Sequence, residues 1–138
     1  MNLDAPPETI DDDPRLSTLM TRRLVGITPD AAVHVALRLM STTGVRHLPV
    51  LEDGLTCIGV VLEADVVRAA AAGELQRPGL PLTVAALCRP AAAVRAYDRR
   101  GHAAVRMCET GIDAVLVIED THLVGMVTAT DLVRSLTG

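Results

Sequence analysis

Gly125-Met126-Val127-Thr128-Ala129-Thr130-Asp131 places a hydroxyl and a carboxylate three residues apart, where an apolar run gives way to a helical pattern. A carboxylate accepts hydrogen bonds from two hydroxyl donors at once. A threonine hydroxyl at a helix start sits among amide N–H groups that favour an anion. The same spacing is also a capping box, with Thr128 as N-cap and an acid at the third helical position. Both readings stand. An earlier stretch, Gly59-Val60-Val61-Leu62-Glu63-Ala64-Asp65, repeats the pattern with Leu62 in place of the threonine. Leucine neither donates nor accepts, so the Asp65 position is expected to be weak or empty and Thr128/Asp131 the better site. Leu62→Thr is expected to create or strengthen binding at the first position.

Basic residues supply a second kind of chemistry. Arg46-His47 precede Leu48-Pro49-Val50, whereas the corresponding residues of the later stretch are Asp113-Ala114. A carboxylate there would repel an anion. Arg99-Arg100-Gly101-His102 puts two arginines near a helix start, poor for the helix dipole and good for an anionic ligand. The alternative is an exposed basic loop, and Gly101 is expected to delay the helix to about His102. Tyr97 is the lone aromatic ring and could flank a flat group. His34, His47, His102 and His122 show no metal spacing with the cysteines. No Ser/His/Asp or Cys/His arrangement stands out, so the chain is expected not to be an enzyme.

These residues are held by a repeat. Gly44-Val45-Arg46-His47-Leu48-Pro49-Val50-Leu51-Glu52-Asp53 returns about 67 residues later as Gly111 to Asp120, and Gly59 to Arg68 returns as Gly125 to Arg134. In the first copy, Val25–Thr28 reads as a strand. Val33, Ala36, Leu37 and Met40 recur at helical spacing within 31–43, and Gly44 ends that helix. His47–Leu51 and Cys57–Val61 form a hairpin through Asp53-Gly54, and Glu63–Ala72 a second helix. The second copy repeats the order: strand 92–94, helix 102–110, strand 114–118, a one-residue-shorter turn at Asp120-Thr121-His122, strand 123–127, and helix 129–136. Short helical segments precede each copy. Asp13 is the expected N-cap and Pro14 the first helical residue of the first segment, which runs from Arg15 to about Met20, and Thr83 caps the other.

Composition narrows the function. Hydrophobic content of 49% over 138 residues suits one compact domain of two half-units. Net charge is −4 without basic clusters, which argues against nucleic acid. No apolar run spans a membrane, and no signal-peptide layout opens the chain. Cys57, Cys88 and Cys108 form no CxxC pair and read as buried thiols of a reducing, cytoplasmic setting. The Ala/Arg/Val-rich, lysine-poor composition points to a GC-rich bacterial genome.

The ordered elements, occurring twice, resemble a tandem pair of cystathionine-β-synthase (CBS) domains, a Bateman module, over about residues 15–138. The matching pieces are Leu19-Met20-Thr21-Arg22, Ile27-Thr28-Pro29-Asp30, Gly44 to Val50, Gly59 to Asp65, Gly111 to Val117 and Gly125 to Asp131. The resemblance implies an α+β fold of two β-α-β-β-α repeats packed sheet to sheet in pseudo-two-fold symmetry. It places an acidic tail at 1–14, repeats at 15–72 and 82–138, and a Pro/Gly linker at 73–81. It further implies a regulatory module that holds AMP, ADP, ATP or S-adenosylmethionine in a cleft between the repeats and requires no cofactor. Thr128 and Asp131 would face the ribose and nearby phosphate, with Asp65 in the equivalent role. Val94, Ile112, Val115 and Ala129 would line the base, and Arg46 and His47 would reach phosphate. A homodimer and an unidentified protein target are the implied partners. The alternative is a ligand-free dimerisation module with degenerate sites.

Overall fold

Val33, Ala36 and Met40 all bury on one side of helix α1 (Val33–Thr43), as their spacing requires. The computed structural model describes residues 13–54, 56–76, 79 and 81–137. Most of the expected acidic tail (1–12), and Arg77, Pro78 and Leu80 of the expected linker, lie outside the described residues. Gly44 closes α1 in the left-handed region at φ +78°, its N–H donating to the Met40 carbonyl at 2.9 Å. Strands β1 (His47–Glu52) and β2 (Thr56–Leu62) pair antiparallel, with Leu48 opposite Val61 and Val50 opposite Gly59. Helix α2 (Glu63–Ala71) follows, then a short helix α3 (Val84–Leu87). The expected strand at 25–28 shrinks to Ile27, which bridges Val50 in parallel. Pro29, two residues on, has no N–H with which to extend a ladder. Thr83 is the N-cap of α3, but its side chain makes no capping hydrogen bond.

The second copy builds a three-stranded sheet. Strand β3 (Ala92–Val94) runs parallel to β4 (Ala114–Glu119), and β4 pairs antiparallel with β5 (His122–Thr128). Helix α4 (Arg100–Thr110) ends at Gly111, and helix α5 (Ala129–Ser135) follows β5. Gly101 does not delay α4, because a cap arrives from elsewhere in the chain. The Gly101 N–H donates to the Asp13 carboxylate at 2.7 Å. Asp13 therefore caps α4 and not its own segment, where Arg15 precedes a single 3-10 turn, Leu16–Thr18. Its negative charge at the α4 N-terminus is favourable and offsets the two arginines.

The exchange goes further. The chain divides into two compact units, Leu24–Pro90 and the segment up to Arg23 together with the chain from Ala91 on. Each short lead segment packs with the other copy. Leu16 N–H bonds the Asp98 carbonyl at 2.8 Å, and Val84 N–H bonds the Ala31 carbonyl at 2.8 Å. Leu16, fully buried, joins Val94, Ala103, Met107, Val115, Val117 and Val127 in one core. Val84 joins Ile27, Val33, Leu48, Val50, Val61 and Val66 in the other.

The two hairpins differ in strain. Asp53 and Gly54 turn the first at φ 54° and 75°. Asp120 and Thr121 turn the second at φ 49° and 66°, and a β-branched residue in that region is costly. Thr121→Gly is expected to raise stability by about 0.5–1 kcal/mol in urea melts, the relieved strain exceeding the added unfolded-state entropy. An unchanged or lower midpoint would show that Thr121 is not strained.

Candidate ligand site at the Thr128–Asp131 helix start

Thr128 ends β5 in an extended conformation and becomes the N-cap of α5. The Asp131 N–H donates to Thr128 Oγ1 at 3.3 Å. In return, Asp131 Oδ2 accepts from the Thr128 N–H at 2.9 Å and from its hydroxyl at 3.1 Å. The capping box foreseen from spacing is formed in full. It occupies one carboxylate oxygen. Among the described residues, the other, Oδ1, meets Arg134 Nη1 alone, at 3.5 Å, and that arginine side chain is 72% exposed. Asp131 and Arg134 line a pocket of about 170 Å³ with Thr18, Leu19 and Ser135. Ser135 Oγ accepts from Arg100 Nη1 at 3.2 Å, so Arg100 reaches the rim of this pocket.

The equivalent carboxylate in the first copy is in a different state. Asp65 is buried. Arg89 grips both its oxygens, Nε to Oδ2 at 2.6 Å and Nη2 to Oδ1 at 3.0 Å. Arg68 adds Nη1 to Oδ1 at 2.8 Å. Leu62 precedes α2 without a side-chain cap. The Arg89 hydrogen bonds, more than those of Arg68, hold the Asp65 carboxyl below the usual range, against the opposing effect of burial. A lowered folded pKa means that the ion pair's stabilisation is complete above the unfolded value, about 3.9, and is lost as pH falls through the folded one. Urea midpoints of the wild type are therefore expected to drop more steeply below about pH 4 than those of Arg89→Gln. Parallel profiles would remove Asp65 as the titrating group.

The other candidates fall in several places. Arg46 is exposed and lies 3.9 Å from Glu63, a weak surface pair. His47 opens β1 opposite Leu62. Both belong to the Leu24–Pro90 unit, whereas Thr128, Ala129 and Asp131 belong to the other. Val94 and Val115 are buried in that other unit's core, and Val94 also lines a second pocket, with Ala93, Arg95, Ile118, Asp120 and Thr121. Ile112 is buried, and the half-buried Ala129 donates its N–H to the Asp113 carbonyl at 2.9 Å. Tyr97 is exposed, with the Arg15 guanidinium 3.6 Å from its ring centre. That cation covers one face of the ring. Cys57 and Cys88 are half-buried, and burial pushes both thiols up. Cys108 is exposed, contrary to the expectation of a buried thiol, because it sits on the outer side of α4 away from buried Ala103 and Met107.

Sequence reasoning missed Arg89, Arg134, Thr18, Leu19 and Ser135. Arg68 and Arg134 were visible as basic residues three positions after each aspartate. Arg89 had a subtler signal. Backbone pairing makes it the counterpart of Thr21, since Arg89 bridges Val60 and Thr21 bridges Met126. Aligning the lead segments would have shown an arginine opposite a threonine.

A family model described as CBS domain matches residues 16–72 and again 84–138. A hemolysin-like protein of Oenococcus oeni containing a CBS domain superposes with a TM-score of 0.80 at 20% identity, covering 95% of this chain and 96% of that one. A CBS domain pair in complex with 5′-methylthioadenosine and S-adenosyl-L-methionine gives 0.77 at 20% identity, covering 91% and 100%. These two likenesses show the fold. CBSX2 in complex with AMP gives 0.74 at 28% identity, covering 89% and 96%. An uncharacterised protein of Methanocaldococcus jannaschii is 31% identical over 55 residues, 40% of this chain and 33% of that relative. The matched stretch thus spans about a third of the relative's length. No described helix is long and apolar enough to cross a membrane.

Proposed function

Since the chain belongs to the CBS domain family and carries the domain twice, we propose that it is a non-catalytic regulatory module that binds an adenosine-containing ligand at Asp131. One observation carries the reading. Of the two equivalent aspartates, Asp131 alone keeps an oxygen with no closer partner than 3.5 Å among the described residues, and the residue lines a pocket. A ribose diol supplies the two hydroxyl donors that such a carboxylate accepts. Arg134 and Arg100, at the same rim, suit a phosphate. The complex of CBSX2 with AMP, and that of the other pair with S-adenosyl-L-methionine and 5′-methylthioadenosine, lend support from relatives.

The module acts as a homodimer that passes its ligand state to a protein target. For any such signal the ligand must prefer one of two arrangements. Calorimetric titration of the chain with AMP, ADP, ATP and S-adenosylmethionine tests the binding. One site per chain for at least one of them is expected.

A second reading has its own support. The capping box already engages both Thr128 and Asp131, so these residues serve the fold without a ligand. Silence toward all four compounds would establish this ligand-free interaction module in place of the first reading.

A further inference from the structure

Arg89 is rooted firmly before its side chain is considered. Its carbonyl accepts from the Val60 N–H at 2.9 Å, and its own N–H donates to the Val60 carbonyl at 2.8 Å. Gly59 permits this approach, because a Cβ there would lie 2.5 Å from the Arg89 carbonyl oxygen. From that root the guanidinium lays two N–H groups against the two oxygens of Asp65. A planar fork of two donors on one carboxylate is the pattern that two vicinal hydroxyls would present, with charge added.

The second copy has the same root without the fork. Thr21 exchanges backbone hydrogen bonds with Met126 at 2.9 and 3.0 Å. A threonine side chain is too short to reach as the arginine does. Asp131 keeps its loose contact with Arg134, where Asp65 is gripped by Arg89 and Arg68 together.

Resting on the reading of these carboxylates as ribose acceptors, we propose that Arg89 is a built-in occupant of the first-copy site. It closes that site with the chain's own side chain and so limits the chain to a single ligand. Leu62 is then the lesser of two obstacles. Restoring a threonine there leaves Asp65 in the grip of Arg89, so Leu62→Thr alone opens nothing. That revises the expectation drawn from the repeat. Two changes are needed, Leu62→Thr and Arg89→Thr, each giving the first copy the residue that the second copy already carries.

The test is calorimetric titration of the full chain with AMP, with circular dichroism to confirm folding. Leu62→Thr is expected to show the wild-type number of sites. The double variant is expected to gain one site per chain, with affinity at that position at least about tenfold above Leu62→Thr. Should Arg89→Thr unfold the chain, Leu62→Thr with Arg89→Gln gives the same readout, because glutamine lacks the charged fork. A new site in Leu62→Thr alone, or none in a folded double variant, would overturn the proposal. The outcome separates from that of Asp131. A wild type silent to AMP, ADP, ATP and S-adenosylmethionine alike, beside a double variant that binds AMP, refutes the second-copy site and upholds the Arg89 closure. One site in both refutes the closure and keeps the second-copy site.

Discussion

Asp131→Ala is expected to abolish AMP binding, raising Kd by at least about a hundredfold. Two hydroxyl-to-carboxylate hydrogen bonds would be lost, each worth about 1.5–3 kcal/mol when one partner is charged, and tenfold in Kd is about 1.4 kcal/mol. The same change removes half of the capping box, which is expected to lower stability by about 0.5–2 kcal/mol. Asp131→Asn separates the two roles. An asparagine still offers an oxygen to the Thr128 N–H and hydroxyl, where Asp131 Oδ2 now accepts at 2.9 and 3.1 Å. It should keep most of the helix start and still weaken AMP by about tenfold through loss of charge. Calorimetry beside urea melts reads both quantities. If Asp131→Ala binds AMP as the wild type does, the carboxylate is a cap and nothing more.

The second large effect concerns Gly59 and its counterpart Gly125, which the repeat makes equivalent and the packing does not. A Cβ on Gly59 would lie 2.5 Å from the Arg89 carbonyl oxygen and 2.6 Å from Cys88 Sγ. The nearer obstacle is backbone and cannot swing aside, so Gly59→Ala must push the Arg89 segment from β2 and loosen the Val60 pair. Overpacking of this kind costs about 1–3 kcal/mol. A Cβ on Gly125 would meet Met20 Sδ at 2.6 Å, with the nearest backbone atom, the Thr21 oxygen, at 3.2 Å. Methionine has three rotatable bonds and yields. Gly125→Ala should therefore cost clearly less than Gly59→Ala in matched urea melts. Equal losses would mean that Met20 is as rigid as a peptide carbonyl.

Much of the architecture could be read from local pattern. The apolar spacing of Val33, Ala36 and Met40 marked α1. Gly44 marked its end, and the Asp53-Gly54 and Asp120-Thr121 turns marked the hairpins. Such signals act within one helical turn or one hairpin. What stayed hidden acts across the chain. Asp13 caps Gly101 and Arg89 grips Asp65, and neither has a neighbour in sequence to announce it. Leu16 and Val84 are both apolar, and the two cores have nearly the same aliphatic chemistry, so residue type does not say which core each enters. At the site itself, the Thr128/Asp131 spacing suggested both a cap and a ligand contact. Geometry adds that the cap uses one oxygen and leaves the other.

The exchanged lead segments govern when each core can close. During synthesis the stretch from Leu24 to Pro90 is complete as soon as it emerges, Val84 included. Leu16, made before it, has no core to enter until the last strand, with Val127, has been added. The Leu16 segment, made before the Leu24–Pro90 stretch, is thus buried after it. Cutting between the copies strands both lead segments, Leu16 on the first fragment and Val84 on the second, each apart from its own core. A chain rejoined end to end and opened before Leu24 would instead carry each core in one contiguous stretch, removing the long wait from its folding.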